Sequence, residues 1–131
     1  KYIREAAKYI GEYDAVIGYK KGKRESMMRL IVSKGAYYLN LLLFGLNVKD
    51  INYPFKMMKT RFVKKMNLYS NTTLIPVELL VGLKKQKAKI KEIEVPFIMR
   101  TEDKSKMNYI TVISGHIVDI ARYFKNTISN K

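Results

Sequence analysis

Along the first dozen residues the apolar and aromatic positions fall at Tyr2, Ile3, Ala6, Ala7, Tyr9 and Ile10, a spacing that lines one side of a helix, with Gly11 as its natural stop. The β-branched run from Tyr13 to Tyr19 predicts a short buried strand. From Ser26 to Gly45 a broad apolar face, carried by residues such as Leu30, Tyr37, Leu41 and Phe44, predicts a long helix that Ser26 is placed to cap. Residues 47–59 read as a turn and a short extended piece, which Pro54 keeps out of a regular central strand. Phe62 to Leu68 predicts a short basic helix, Ser70 to Thr73 turn or cap chemistry, and Leu74 to Lys87 a further helix with Glu78 inside its apolar stretch. A buried carboxylate there requires a partner, and the many basic groups are its expected source. Ala88 to Met99 alternates early, at Ile90, Ile93 and Val95, and predicts a strand that Pro96 confines to an edge or an end. Asn108 to Lys125 is an amphipathic helix, followed by a tail expected to fray.

Helices alternating with strands place the chain in the α/β class, and 131 residues with 47% hydrophobic content suffice for one domain, 1–131, with its own core. Charge changes the picture more. Twenty-six Lys and Arg against eleven Asp and Glu give +15, which points to anionic partners: phosphorylated small molecules, nucleic acid or anionic lipid head groups. The absence of cysteine excludes disulfide and thiolate chemistry, and a single histidine excludes a multi-histidine metal site. That residue, His116, lies in an apolar-periodic stretch where a satisfied structural histidine is expected. The longest apolar run, Ala36 to Leu46, contains Asn40 and Gly45 and falls well short of the ~20 residues that span a bilayer. There is no Gly-rich phosphate loop, and the neighbouring carboxylates Glu92/Glu94 and Glu102/Asp103 stand among lysines rather than as an acid–base pair.

Phosphate binding is the chemistry that remains. Five basic groups within Lys20 to Arg29 follow the C-terminal end of a predicted strand, where ligands of open α/β sheets gather. The dull reading of residues 20–25 is a solvated basic loop. Arg29 and Ser33 are four apart on the predicted long helix, so a guanidinium fork and a hydroxyl stack one turn apart and suit a single phosphate. Asp50, followed at once by a Pro-bearing turn and Lys56, is an unusual sequel to a buried helix.

The order of these features, YDAVIGYK, Arg29-x-x-x-Ser33, the Leu-rich segment, Asp50-x-x-x-x-Phe55-Lys56, Glu78-Leu-Leu, EVPF, then Arg100 and Ser105-Lys106, resembles the second half of the polyprenyl-phosphate glycosyltransferases. These are the dolichol-phosphate mannose synthase-like members of a large inverting family with a GT-A, Rossmann-like nucleotide-sugar fold. The resemblance covers Tyr13 to Lys106. It implies transfer of a sugar from a nucleotide-sugar donor to a polyprenyl phosphate acceptor with inversion. On that resemblance Lys20 matches a basic position where Arg is usual, and Arg29 and Ser33 match the positions that bind lipid phosphate. Arg100, Ser105 and Lys106 match a loop that closes over donor and acceptor phosphates, Lys56 closes the Asp-x-x-x-Gly-Phe-Arg/Lys motif, and Asp50 is its active-site acid. Pro54 stands where the family has Gly, and so does Asp103. The nucleotide pocket and an Asp-x-Asp metal motif belong to the family's first half. The chain is therefore expected to be the C-terminal part of a longer catalytic domain, partnered by that N-terminal half, with Mg2+ or Mn2+ needed by the complete enzyme and no cofactor bound by this chain alone. A peripheral place on the cytoplasmic face of an anionic membrane is also expected, since each well-placed basic residue contributes about 1 kcal/mol there.

Two other readings draw on the same composition. One is a small basic nucleic-acid-binding domain, suggested by the charge and the ten tyrosines, although no reading motif is present and the tyrosines fall at core spacing. The other is a non-catalytic glycosyltransferase remnant acting as a partner subunit.

Overall fold

The computed structural model describes residues 2–21, 27–70, 74–96 and 109–129, and among them the chain is α/β with one small mixed sheet. The elements run α1 (Tyr2–Tyr9), β1 (Ala15–Lys21), α2 (Met27–Phe44), β2 (Lys56–Met58), α3 (Thr60–Val63), α4 (Ile75–Lys85), β3 (Ile90–Pro96) and α5 (Tyr109–Ser129). The strand order is β2-β1-β3. β1 pairs antiparallel with β2, Val16 opposite Met57, and parallel with β3, Gly18 opposite Ile93 and Lys21 opposite Pro96. β3 thus lies at an edge and ends at its proline, as the missing ladder N–H requires.

Because alternate residues of a strand point to opposite faces, β1 feeds two cores. Ala15 and Ile17 join Leu46, Phe62, Leu74, Leu80 and Leu83 on one face, which α4 covers together with Ile120 and Tyr123 of α5. Val16 faces the other way with Ile93 and Val95, under Ala6 of α1. A strand buried on both faces reads as a continuous β-branched run rather than an alternating one, which is the pattern of Ala15 to Ile17.

Asp14 ties the start of β1 to two other segments, the start of α3 and the approach to β3. Its carboxylate accepts hydrogen bonds from Lys59 Nζ at 3.0 Å, Arg61 Nη2 at 2.9 Å and the backbone N–H of Lys89 at 3.0 Å. The Lys89 amide and the Lys59 side chain are the main causes that hold its pKa at about 2, below the ordinary 3.8. The far end of α2 is fixed differently. Gly45 adopts the left-handed region at φ 63°, and Lys84 Nζ donates to the carbonyls of Phe44 at 3.2 Å and Gly45 at 2.7 Å. A cation there complements the negative end of the helix dipole.

Four expectations are corrected. The short helix expected over Phe62 to Leu68 is α3, Thr60–Val63. Phe62 O, which a continuing α-helix would offer to Met66, instead accepts from Lys65 N at 3.2 Å and from Gln86 Nε2 at 3.0 Å, so a tertiary contact ends the helix. The tail does not fray after Lys125: α5 continues to Ser129. Just ahead of that tail Phe124 stacks on Phe44 at 5.6 Å and Tyr123 meets Phe44 edge-on at 5.5 Å, and within it Thr127 Oγ1 donates to Tyr123 O at 2.8 Å. Glu78 is buried, but among the described residues its partners are not basic side chains; it accepts from Ser70 Oγ at 2.7 Å and from the N–H groups of Tyr69 and Ser70. His116 is not satisfied among the described residues: its Nε2 is buried without a hydrogen-bond partner there, and burial holds its pKa low against the pull of Asp119. The cap expected at Ser26 lies outside the described residues, as do residues 71–73 of the expected turn.

Two measurements check this account. Leu80→Ala, at a side chain with no exposure, is expected to cost about 2–5 kcal/mol in urea denaturation. Asp14 titrates lower when folded, so its contribution is present above pH ~4 and is lost as the pH falls toward 2. Asp14→Asn is therefore expected to be less stable than the wild type at neutral pH, with the gap closing as both are titrated to pH ~2.

Candidate functional site

At the C-terminal end of β1 a cleft of about 320 Å³ opens between the strand, α2 and the segment that follows α2. Its wall carries Tyr19 and Lys20 from β1, Leu30, Ser33, Ala36, Tyr37 and Asn40 from α2, and Lys49 to Asn52 from the turn. The local sequence explains the arrangement. Positions 33, 36, 37 and 40 share one face of a helix, and Ala36 leaves that face room. Gly18 lets the turn close against the sheet: a β-carbon there would stand 2.9 Å from the Tyr53 ring and 3.0 Å from Val95. The Gly18 N–H reaches Phe55 O at 2.9 Å, carrying backbone pairing beyond β2.

Asp50 is half-buried at this turn. Its carboxylate accepts from the backbone N–H groups of Tyr53 and Asn52, an Asx-type turn that accounts for a carboxylate ahead of Pro54. Burial nonetheless pushes its pKa above the ordinary value, with Lys20 and Lys56 opposing the rise through their charge. Lys56 is half-buried as well; burial lowers its pKa and Asp50 opposes that. Its Nζ donates to Tyr53 O. The two groups form a partly desolvated pair at the edge of the cleft.

Of the residues singled out from sequence, Lys20, Ser33 and Asp50 thus line one cleft, and Lys56 acts on Asp50 electrostatically. Arg29 belongs to α2 one turn before Ser33, but its side chain lies outside the described residues. Arg100, Ser105 and Lys106 also lie outside them; β3, which leads to them in sequence, ends beside Lys21. Sequence reasoning missed Tyr19, Tyr37, Asn40 and Lys49. Lys49 Nζ sits 4.2 Å over the Tyr19 ring, and its N–H donates to Glu92 Oε2 at 3.0 Å. Tyr37 donates to Asn47 Oδ1 at 2.9 Å. The available signal was an amide, Asn40, seven residues after Ser33 within an otherwise apolar run.

Chemically the cleft lining offers the cations Lys20 and Lys49, the hydroxyls of Ser33, Tyr19 and Tyr37, the amides of Asn40 and Asn52, and one carboxylate, Asp50. That set can hold and orient an anion, but its described residues include no second carboxylate and no histidine to pair with Asp50. Among the described residues no group of three or more His, Cys, Asp and Glu is gathered to hold a metal, and no helix is long and apolar enough to cross a membrane.

Asp50 titrates higher when folded, so its ionisation opposes folding above its unfolded value of about 3.8. Asp50→Asn, which keeps an oxygen for the Tyr53 and Asn52 amides, is expected to melt at or above the wild-type temperature at pH 7. That advantage should shrink in thermal melts below pH ~4. Comparison with protein-family models, with curated proteins and with solved structures finds no match to this chain.

Proposed function

We propose that this chain is the C-terminal portion of a GT-A-type catalytic domain of a polyprenyl-phosphate glycosyltransferase, and that it grips the acceptor phosphate. The carrying observation is that Lys20, Ser33 and Asp50, distant in sequence, line a single cleft at the C-terminal end of β1, with Arg29 one helical turn from Ser33. Ligands of open α/β sheets bind at that end of the strands.

In this reading Lys20, Arg29 and Ser33 hold the lipid phosphate. One phosphate oxygen attacks the anomeric carbon of the donor sugar from the face opposite the nucleotide. As that C–O bond forms, the bond from the anomeric carbon to the nucleotide diphosphate breaks, and its electron pair leaves with the diphosphate. The ionised phosphate is already a nucleophile and yields no proton, so positioning and charge neutralisation carry the rate, and the scarcity of acid–base pairs is no obstacle. Asp50 is the acid at this centre, and its charge opposes the burial that lowers the pKa of Lys56. Arg100, Ser105 and Lys106 would close over the phosphates. In this reading the Mg2+ or Mn2+ of the complete enzyme and the nucleotide belong to an N-terminal half.

Exposed apolar side chains on α2 and α5, among them Met27, Ile31, Leu42, Ile117 and Ile128, together with the +15 charge, support a peripheral seat on an anionic membrane surface. The test uses the chain joined to an N-terminal half that supplies the nucleotide site. Arg29→Ala and Ser33→Ala are each expected to lower kcat/KM for polyprenyl phosphate, Arg29→Ala by about a hundredfold or more, with the melting temperature unchanged. Wild-type turnover in both variants would overturn the proposal. Binding to single-stranded DNA that weakens steeply with salt while lipid phosphate is ignored would favour the nucleic-acid reading instead.

A further inference from the structure

The floor of the cleft carries a group that phosphate binding does not use. Ser33, Ala36, Tyr37 and Asn40 run down one stripe of α2, from Ser33, exposed at the mouth, to Asn40, which is 2% exposed. Asn40 Nδ2 donates to Ala36 O at 2.8 Å. Because that carbonyl can only accept, the bond fixes which end of the amide is nitrogen and turns Oδ1 away from the helix. Oδ1 is buried and has no hydrogen-bond partner among the described residues. A buried carbonyl oxygen left without a donor is destabilising, and a leucine of similar size would avoid that cost amid Leu39, Leu41 and Leu43.

The missing partner must be an O–H or N–H donor that reaches the floor of a polar, cation-lined cleft. Seven helical residues separate Ser33 from Asn40, roughly 10 Å along the axis. A phosphate at the mouth joined to one hexose ring covers that length, and the cleft volume of about 320 Å³ accommodates the pair. We infer that Asn40 is a specificity residue whose Oδ1 accepts a hydrogen bond from a sugar hydroxyl, so that the cleft holds a glycosyl-phosphate head group, phosphate at Lys20 and Ser33 and sugar at Asn40. The inference rests on the phosphate reading above and names what lies beyond the phosphate. Such a head group is the reacting end of the product, a sugar bonded through its anomeric carbon to a lipid phosphate.

The experiment is a calorimetric titration of the 131-residue chain with three probes: glucosyl phosphate, cyclohexyl phosphate, which has the ring without its hydroxyls, and inorganic phosphate. Wild-type protein is expected to bind glucosyl phosphate about tenfold more tightly than cyclohexyl phosphate. Asn40→Ala and Asn40→Leu should bring that ratio close to one while leaving the affinity for inorganic phosphate unchanged. Asn40→Leu should also melt no lower than the wild type, since it removes an unsatisfied polar group. Equal binding of the two esters by the wild type, or an unchanged ratio in the variants, overturns the inference and leaves the phosphate reading standing. A clear loss of stability in Asn40→Leu also overturns it, because a bound water would then already satisfy Oδ1. Failure of all three probes to bind removes the phosphate reading and this one with it. If Asn40→Ala does not fold, the wild-type comparison of the two esters still decides.

Discussion

β1 cannot be exposed on either face, and the rest of the fold follows from that constraint. Ala15, Val16 and Ile17 are essentially inaccessible, so one layer must cover each side: α1 with Ala6 on one, α4 with parts of α2 and α5 on the other. The parallel partner β3 returns only after α2, β2, α3 and α4, and that long crossover is what brings α4 over the sheet. At one end of β1, Asp14 gathers Lys59, Arg61 and the Lys89 amide; at the other, the strand delivers Tyr19 and Lys20 to the cleft. The same strand thus joins the Asp14 polar cluster to the cation-lined cleft.

Net charge alone overstates the field available to a ligand. Lys59 and Arg61 are engaged by Asp14, Lys89 pairs with Glu12 at 3.3 Å, and Lys84 neutralises the end of α2. Cations at the cleft are distinguished by their surroundings. Lys56 is held partly out of water, and Lys49 lies against an aromatic ring. The influence of Lys56 on an anion is therefore less screened than that of a freely solvated lysine, whereas Lys49 is exposed.

Much of this was legible in the sequence because it depends on local periodicity. The helical span of α2 and the proline that ends β3 need no knowledge of distant contacts, but the expected burial of α2 does not hold: Met27, Leu30, Ile31, Tyr38 and Leu42 of its apolar face are exposed. What escaped depends on tertiary partners. Gln86 terminates α3 from a different helix, Phe44 packs against α5 just ahead of its tail, and Ser70 with its neighbouring amides satisfies Glu78 where composition pointed to lysines. Within the cleft, Ser33 and Asp50 could be picked out as polar residues in odd places. Tyr19 and Lys49 could not, since each is ordinary until the turn after α2 folds back against β1.

The junction at Gly45 couples two positions far apart in the chain. Its left-handed backbone disfavours any side chain, and a β-carbon there would meet the Lys84 amine, the group that bonds the two terminal carbonyls of that turn. The lysine end is flexible and could swing aside for a side chain at 45, but the backbone strain would remain and the two carbonyls would be left bare. A glycine at 45 is thus demanded by its own backbone, while the amine at 84 finishes the helix end.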